Sequence, residues 1–329
     1  MNQHSYPEKN GHTAPEPANP PHSPQQEGAH SPTLSEELDE LQIPVPADRL
    51  EPGPSTESGH VPFFAGETVF APHAGEERPF VEFNQVSIAF GQQHVLDEVS
   101  FHVGRGQTLC ILGRSGVGKS VSLRILLGFL KADSGSVRVD GEEITTMDER
   151  GLQKVRKRVT MVFQNGALFD SLTVGENIAF PLREKGGLAE DQIQKLVNRL
   201  LELVEASEFV DMLPSSLSTG QRRCIAIARA LAAQPEAILY DEPTTMVDPI
   251  MAHVIGDLIQ RLKVQLGLTS IVVTHDMRFA LRLADLVLFL DSGKARFFGT
   301  LQQFLECADP NVQLFLQLDS YALPAVSGG

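Results

Sequence analysis

The stretch GRSGVGKS, residues 113–120, has the residue types and spacing of a phosphate cradle. It fits G-x-x-x-x-G-K-[ST] at Gly113, Gly118, Lys119 and Ser120. Glycines, here also Gly116, let the backbone curl so that the N–H groups around Ser115 and its neighbours aim inward at phosphate oxygens. Lys119 is placed to reach the β- and γ-phosphates of a nucleoside triphosphate, and Ser120 to put its hydroxyl on Mg²⁺. The apolar run Leu109–Leu112 precedes the loop and an apolar-periodic segment, Leu123 to Leu130, follows it. That context predicts a buried strand feeding the loop and a helix leaving it, whose N-terminal dipole adds to the attraction for phosphate.

Three further apolar runs end in polar groups suited to the same chemistry. AILYDEP, residues 237–243, ends in paired carboxylates. Asp241 is placed to hold Mg²⁺ directly or through water, and Glu242 to orient or deprotonate an attacking water. Two carboxylates at the end of an apolar strand are costly unless cations or water satisfy them. SIVVTHD ends with His275, which either is structural or hydrogen-bonds the γ-phosphate or the attacking water. VTMVFQ ends with Gln164, which could touch Mg²⁺ or the water and leads into a loop at 165–172.

The elements that must carry these groups alternate. Strands are predicted at FVEFNQVSIAF, HVLDEVSFHV, QTLCILG, VTMVFQ, AILYDEP, SIVVTHD and DLVLFLDSG, with helical periodicity at 189–210, 220–233 and 249–265. Alternation of this kind implies an α/β fold, a parallel sheet covered on both faces. The block 173–235 is mostly helical and reads as an insertion between sheet strands. Residues 1–78 are rich in Pro, Glu, Ser and His and hold 13 acidic against 3 basic side chains, so they are expected to be disordered. Within them TLSEELDELQI, residues 33–43, reads as a transient helix, the other reading being a partner-docking helix. Net charge is −15 with no basic stripe, which argues against a nucleic-acid surface. The three cysteines, at 110, 224 and 307, form no metal or redox pair. No apolar run is long enough to span a bilayer, and the first residues do not form a signal peptide.

LSTGQRRCIAIARAL, residues 217–231, narrows the reading. With the cradle, Gln164, YDEP and His275 in this order, the chain resembles the nucleotide-binding subunit of ABC transporters over roughly 80–305. The resemblance implies a P-loop NTPase with a RecA-like core, an antiparallel β subdomain and an inserted α-helical subdomain at about 173–235. It divides the chain into the extension 1–78, the ATPase domain 79–305 and a tail 306–329. It further implies that Ser218, Gly220 and Gln221 cap ATP held by Lys119 of a second copy, so that nucleotide joins two half-sites of a homodimer. Asp248 should bridge the two copies. Phe90, before GQQHVL, matches the aromatic that stacks on adenine, the other reading being a buried strand-edge Phe.

Thr219 replaces the first signature glycine, TTMVD at 244–248 replaces a run of small residues, and Val121 stands where many members carry a second hydroxyl. GKSV, VFQNGALFDSLTVGENIAFPLRE, DEPTTMVDPI and TSIVVTHDMRFALRLAD are similar to the ATPase subunits of MCE/Mla-type lipid transporters. That resemblance implies phospholipid cargo and a permease received in a groove around Ala167, Leu168 and Phe169. It also implies an MCE-type substrate-binding partner, a small regulatory subunit and a peripheral place on the cytoplasmic face of the inner membrane. A polar amino-acid importer is the second reading. A soluble ABC ATPase is the third, but no coiled-coil insertion, zinc motif or second cassette is visible. In the tail, Leu314, Phe315 and Leu318 are expected to be available for burial against the chain itself or a neighbouring subunit.

Overall fold

The computed structural model describes residues 78–320. The helix expected at 33–43 and the extension up to residue 77 lie outside the described residues, as does the end of the tail, 321–329.

The larger sheet has six strands, in the order β10 (Lys294–Thr300), β9 (Leu286–Asp291), β3 (Thr108–Leu112), β8 (Thr269–Val273), β7 (Ala237–Asp241) and β6 (Val159–Val162). All neighbouring pairs are parallel except β10 with β9. Strands buried on both faces read as continuous apolar runs, and β3, β7 and β8 are buried at every position. Side chains alternate across β3: Leu109 and Ile111 join one core, Cys110 and Leu112 the other. Burial pushes the Cys224 thiol up to about 11 and the Cys110 thiol higher still.

The first core is roofed by an antiparallel sheet, β2 (Gln93–Val103), β1 (Val81–Phe90), β4 (Ser134–Val139) and β5 (Glu142–Glu143), together with α1 (Lys119–Leu126) and α2 (Glu149–Arg158). Phe83 stacks on Phe101 across β1 and β2 with ring centroids 4.3 Å apart. A four-charge ring ties the two sheets at the end away from the cradle. Arg105 and Arg158 each bond both Asp140 and Glu236 at 2.5–2.6 Å, with Arg105 also lying 4.7 Å over Phe80. Those guanidiniums hold Asp140 and Glu236 below the usual carboxylate range despite the opposing effect of burial.

The second core holds α3 (Val174–Lys185), α4 (Glu190–Leu203), α5 (Thr219–Ala232), α6 (Pro249–Leu266) and α7 (Met277–Leu283). The first three lie in sequence between β6 and β7, which pair directly. The helix expected to run to residue 210 stops at Leu203, and Glu205, at φ 55°, turns the chain into a 3₁₀ turn at Ser207–Phe209. The chain continues through α8 (Leu301–Leu305) and α9 (Pro310–Ser320). Here the expectation for the tail is corrected in part. Val312, Phe315 and Leu316 face the chain's own core, with Phe315 5.1 Å from the Phe289 ring, whereas Leu314 and Leu318 are exposed. Helical spacing puts those two on the face opposite the buried stripe. Among the described residues no helix is long and apolar enough to cross a membrane.

Candidate active site

Parallel strands deliver their C-terminal ends to one edge of a sheet, where α/β proteins hold ligands. Here β3 ends at the cradle, β8 leads to His275, β7 to Asp241 and Glu242, and β6 to Gln164. The spatial order β3-β8-β7-β6 sets these groups side by side. They border a cavity of about 300 Å³ lined by Ser115, Gly116, Gly118, Lys119, Ser120, Gln164, Glu242 and His275. Val95, Val121 and Thr245 complete the wall.

The cradle depends on its glycines. Gly113 (φ +144°) would place a Cβ 2.3 Å from the Leu290 carbonyl, and Gly118 (φ +104°) one 2.6 Å from the Val95 carbonyl. Backbone packing therefore forbids a side chain at either, and Gly118 opens α1 as its N-cap. Among the described residues none accepts from the backbone N–H groups of Gly116, Val117, Gly118, Lys119 or Ser120. Amides without an acceptor among the described residues, at the start of a helix, fit a phosphate chain.

Lys119 is buried and donates to the carbonyls of Gly113 (2.8 Å) and Arg114 (3.1 Å). Its Nζ lies 3.4 Å from Glu242 Oε1. Glu242 Oε2 is met by His275 Nδ1 at 2.8 Å and by the Thr245 hydroxyl at 3.2 Å. Ser120 Oγ donates to Asp241 Oδ1 at 2.6 Å. Burial pushes the Asp241 carboxyl above its usual range, and the charge of Glu242 adds to the rise, against the Ser120 hydrogen bond. Among the described residues no three His, Cys, Asp or Glu could hold a metal by themselves. Ser120, Asp241 and Gln164 are hard oxygen donors, and that set suits Mg²⁺ that keeps phosphate and water ligands.

The remaining expected residues lie elsewhere. Asp241 and Gly113 are not among the lining residues, although Asp241 accepts from Ser120 in the wall, and Phe90 ends β1 52% exposed, not as a buried strand-edge Phe. Ser218, Gly220, Gln221 and Asp248 do not line the cavity of their own chain. Ser218 caps α5 by accepting from Gln221 N (3.2 Å) while Gln221 Oε1 accepts from Ser218 N (2.8 Å). Asp248 caps α6, accepting from Met251 N at 3.0 Å. The two caps meet, since a Cβ on Gly220 would lie 2.9 Å from that of Met251. The Thr219 hydroxyl accepts from Arg222 at 3.2 Å.

Sequence reasoning missed the groups that hold the loop after Gln164. Asn177, fully buried on α3, accepts from Phe169 N at 2.8 Å and donates to the carbonyls of Phe169, Leu172 and Thr173 at 2.9–3.1 Å. Arg229 donates to the Ala167 carbonyl (2.7 Å), and buried Arg223 to that of Phe163 (3.0 Å). A polar residue on an apolar helix face was the available signal for Asn177. Replacing Asn177 with Leu takes the hydrogen-bond partner from the Phe169 amide and the Leu172 carbonyl, while the Phe169 and Thr173 carbonyls keep the amides of Leu172 and residue 177. Loss of about 1–3 kcal/mol is expected, measured by urea unfolding against wild type.

The ABC transporter family profile matches residues 96–245. The intermembrane phospholipid transport system ATP-binding protein MlaF of Haemophilus influenzae is 38% identical over 240 residues, 73% of this chain and 91% of that protein. The chain belongs to the ABC transporter family. This ABC subunit is also 40% identical to the methionine import ATP-binding protein MetN of Brucella abortus, over 75% of this chain and 67% of that one. The cassette MJ0796, solved as a dimer in a post-hydrolysis state bound to ADP and Pi, aligns with it at a TM-score of 0.62 and 32% identity. That match covers 67% of this chain and 98% of MJ0796. The P-loop, the mixed α/β sheets and these relatives make the chain an ATP-binding, ATP-hydrolysing transporter subunit.

Proposed function

We propose that this ATPase energises phospholipid transport as a homodimer docked on a membrane permease. The observation that carries the hydrolytic part is Glu242, held at the cavity wall between Lys119, His275 and Thr245. The cradle amides and Lys119 bind the β- and γ-phosphates. Glu242 accepts a proton from water as its oxygen bonds to the γ-phosphorus, and the bond to the β-phosphate oxygen breaks, releasing ADP with the electron pair. An ionised Glu242 accepts from His275 Nδ1–H, which leaves Nε2 free to accept from water. Mg²⁺ held by Ser120, Asp241 and Gln164 supplies charge neutralisation when bound.

Ser218, Gly220 and Gln221 do not reach the cavity of their own chain, which supports closure by a second copy bound face to face. The surface after Gln164 supports a permease contact. Phe163, Phe169 and Phe180 are partly exposed there, with the Phe169 and Phe180 rings 5.0 Å apart. Phe169→Asp is expected to release the permease while leaving ATP affinity within about 2-fold, because it lies outside the cavity wall. Pull-down of the tagged complex beside nucleotide binding measures both, and an intact complex removes the contact assignment.

Phospholipid as cargo is supported by the run after Gln164 and by Val121 in the cavity wall, both similar to MCE/Mla-type subunits. The relatives also place methionine import on the table, through the 40% identity to MetN. An MCE-type binding protein, a small regulatory subunit and the cytoplasmic face of the inner membrane follow from the lipid reading. The test is purification of the tagged chain from membranes, identification of its companions, and reconstitution with labelled phospholipid or methionine. ATP-driven phospholipid movement that Lys119→Ala abolishes supports the proposal; methionine uptake alone overturns the cargo.

A further inference from the structure

We infer that Thr245 is a positioning residue for Glu242, fixing its carboxylate from the segment that a second copy is proposed to cover. The inference rests on the role proposed for Glu242. Oxygen Oε1 of that carboxylate faces Lys119, while Oε2 takes both His275 Nδ1 and the Thr245 hydroxyl. With His275 as its single Oε2 partner the carboxylate could swing about its last torsion, which is soft. A second donor on the same oxygen removes that freedom and occupies the remaining lone-pair direction.

The backbone makes the hold specific. Glu242 sits at φ 49°, a strained setting for a residue with a side chain, and its N–H donates to the Val273 carbonyl at 2.9 Å. A turn then brings the chain back: Thr245 N donates to the Glu242 carbonyl (3.3 Å) and Val247 N to that of Thr244 (3.1 Å). The turn sets Thr245 Oγ over the carboxylate and also in the cavity wall. A β-branched side chain has few χ1 choices, so the hydroxyl stays there. The next residue, Met246, is 89% exposed at φ 60°, and Asp248 follows as the α6 cap. Thr245 therefore joins the hydrolytic carboxylate to the most exposed part of this edge. Pressure on Met246–Asp248 from a second copy would reach the Glu242 carboxylate through the Thr245 hydroxyl, beside the backbone of the turn.

The test uses the assembled transporter and compares Thr245→Val, isosteric without a donor, with Thr245→Ser, which keeps one. Steady-state hydrolysis is measured against ATP concentration. Thr245→Val is expected to lower kcat about 10-fold with KM for ATP within about 2-fold, and Thr245→Ser to stay within about 2-fold of wild type. In a Glu242→Gln background Thr245→Val should add no further loss to single-turnover hydrolysis. Equal unfolding midpoints for the Val and Ser variants keep folding out of the comparison, and Thr245→Ala replaces Val if Val does not fold. Wild-type kcat in Thr245→Val, or equal losses in Val and Ser, or losses that multiply with Glu242→Gln, overturns the assignment. A Glu242→Gln protein as fast as wild type overturns instead the role of Glu242 beneath it.

Discussion

Glu242→Gln is expected to lower hydrolysis by roughly 10²–10⁴-fold, the usual range for losing a positioned base. It should also accumulate as an ATP-bound dimer. The amide keeps the size of the carboxylate and one acceptor for the His275 and Thr245 contacts, so the wall of the cavity survives. It cannot take a proton from water. It also removes a negative charge 3.4 Å from Lys119 Nζ, so the phosphates meet less repulsion and binding does not weaken. Phosphate release measures the first effect, and size-exclusion chromatography with and without ATP the second. A variant that stays monomeric under saturating ATP, in conditions where the wild-type assembly forms, would sink the two-copy reading.

Lys119→Ala has the opposite signature, failing at binding rather than at chemistry. Lys119 is 5% exposed and is the cation of the cradle, held by two loop carbonyls and facing Glu242. Charge-assisted hydrogen bonds contribute about 1.5–3 kcal/mol, so ATP affinity should fall roughly 10- to 150-fold. The substitution also leaves Asp241 and Glu242 without a neighbouring lysine, which adds repulsion toward phosphate. Equilibrium titration with a fluorescent ATP analogue measures the fall. Affinity within 2-fold of wild type removes Lys119 from the phosphate site.

The strands that carry the site were legible because parallel strands buried on both faces are continuous apolar runs that end abruptly in polar groups. LCIL before Gly113, ILY before Asp241 and IVV before Thr274 each have that form. Elements of mixed composition were not legible. Neither β4, SGSVRV, nor β10, KARFFGT, alternates cleanly, and each is held by pairing with a distant or preceding strand. In α2, ERGLQKVRKR, only Val155 is fully buried, so little apolar periodicity announces the helix. The tail showed the converse error. Its apolar residues were visible, but which of them faced inward depended on where α9 landed.

The sequence by itself determined the chemistry on offer: a glycine cradle with Lys119 and Ser120, carboxylates at 241 and 242, a histidine at 275, and the order in which they follow one another along the chain. Those features are local, because spacing along the chain sets which backbone amides and side chains share one loop or strand end. Tertiary structure alone decided which groups hold one another. Asn177 grips the loop after Gln164 from α3, Arg223 reaches Phe163 across 60 residues, and Glu242, His275 and Thr245 close on one oxygen. Hydrogen bonds require placement within fractions of an ångström, and chain separation carries no information at that scale until the sheet has set the strands side by side.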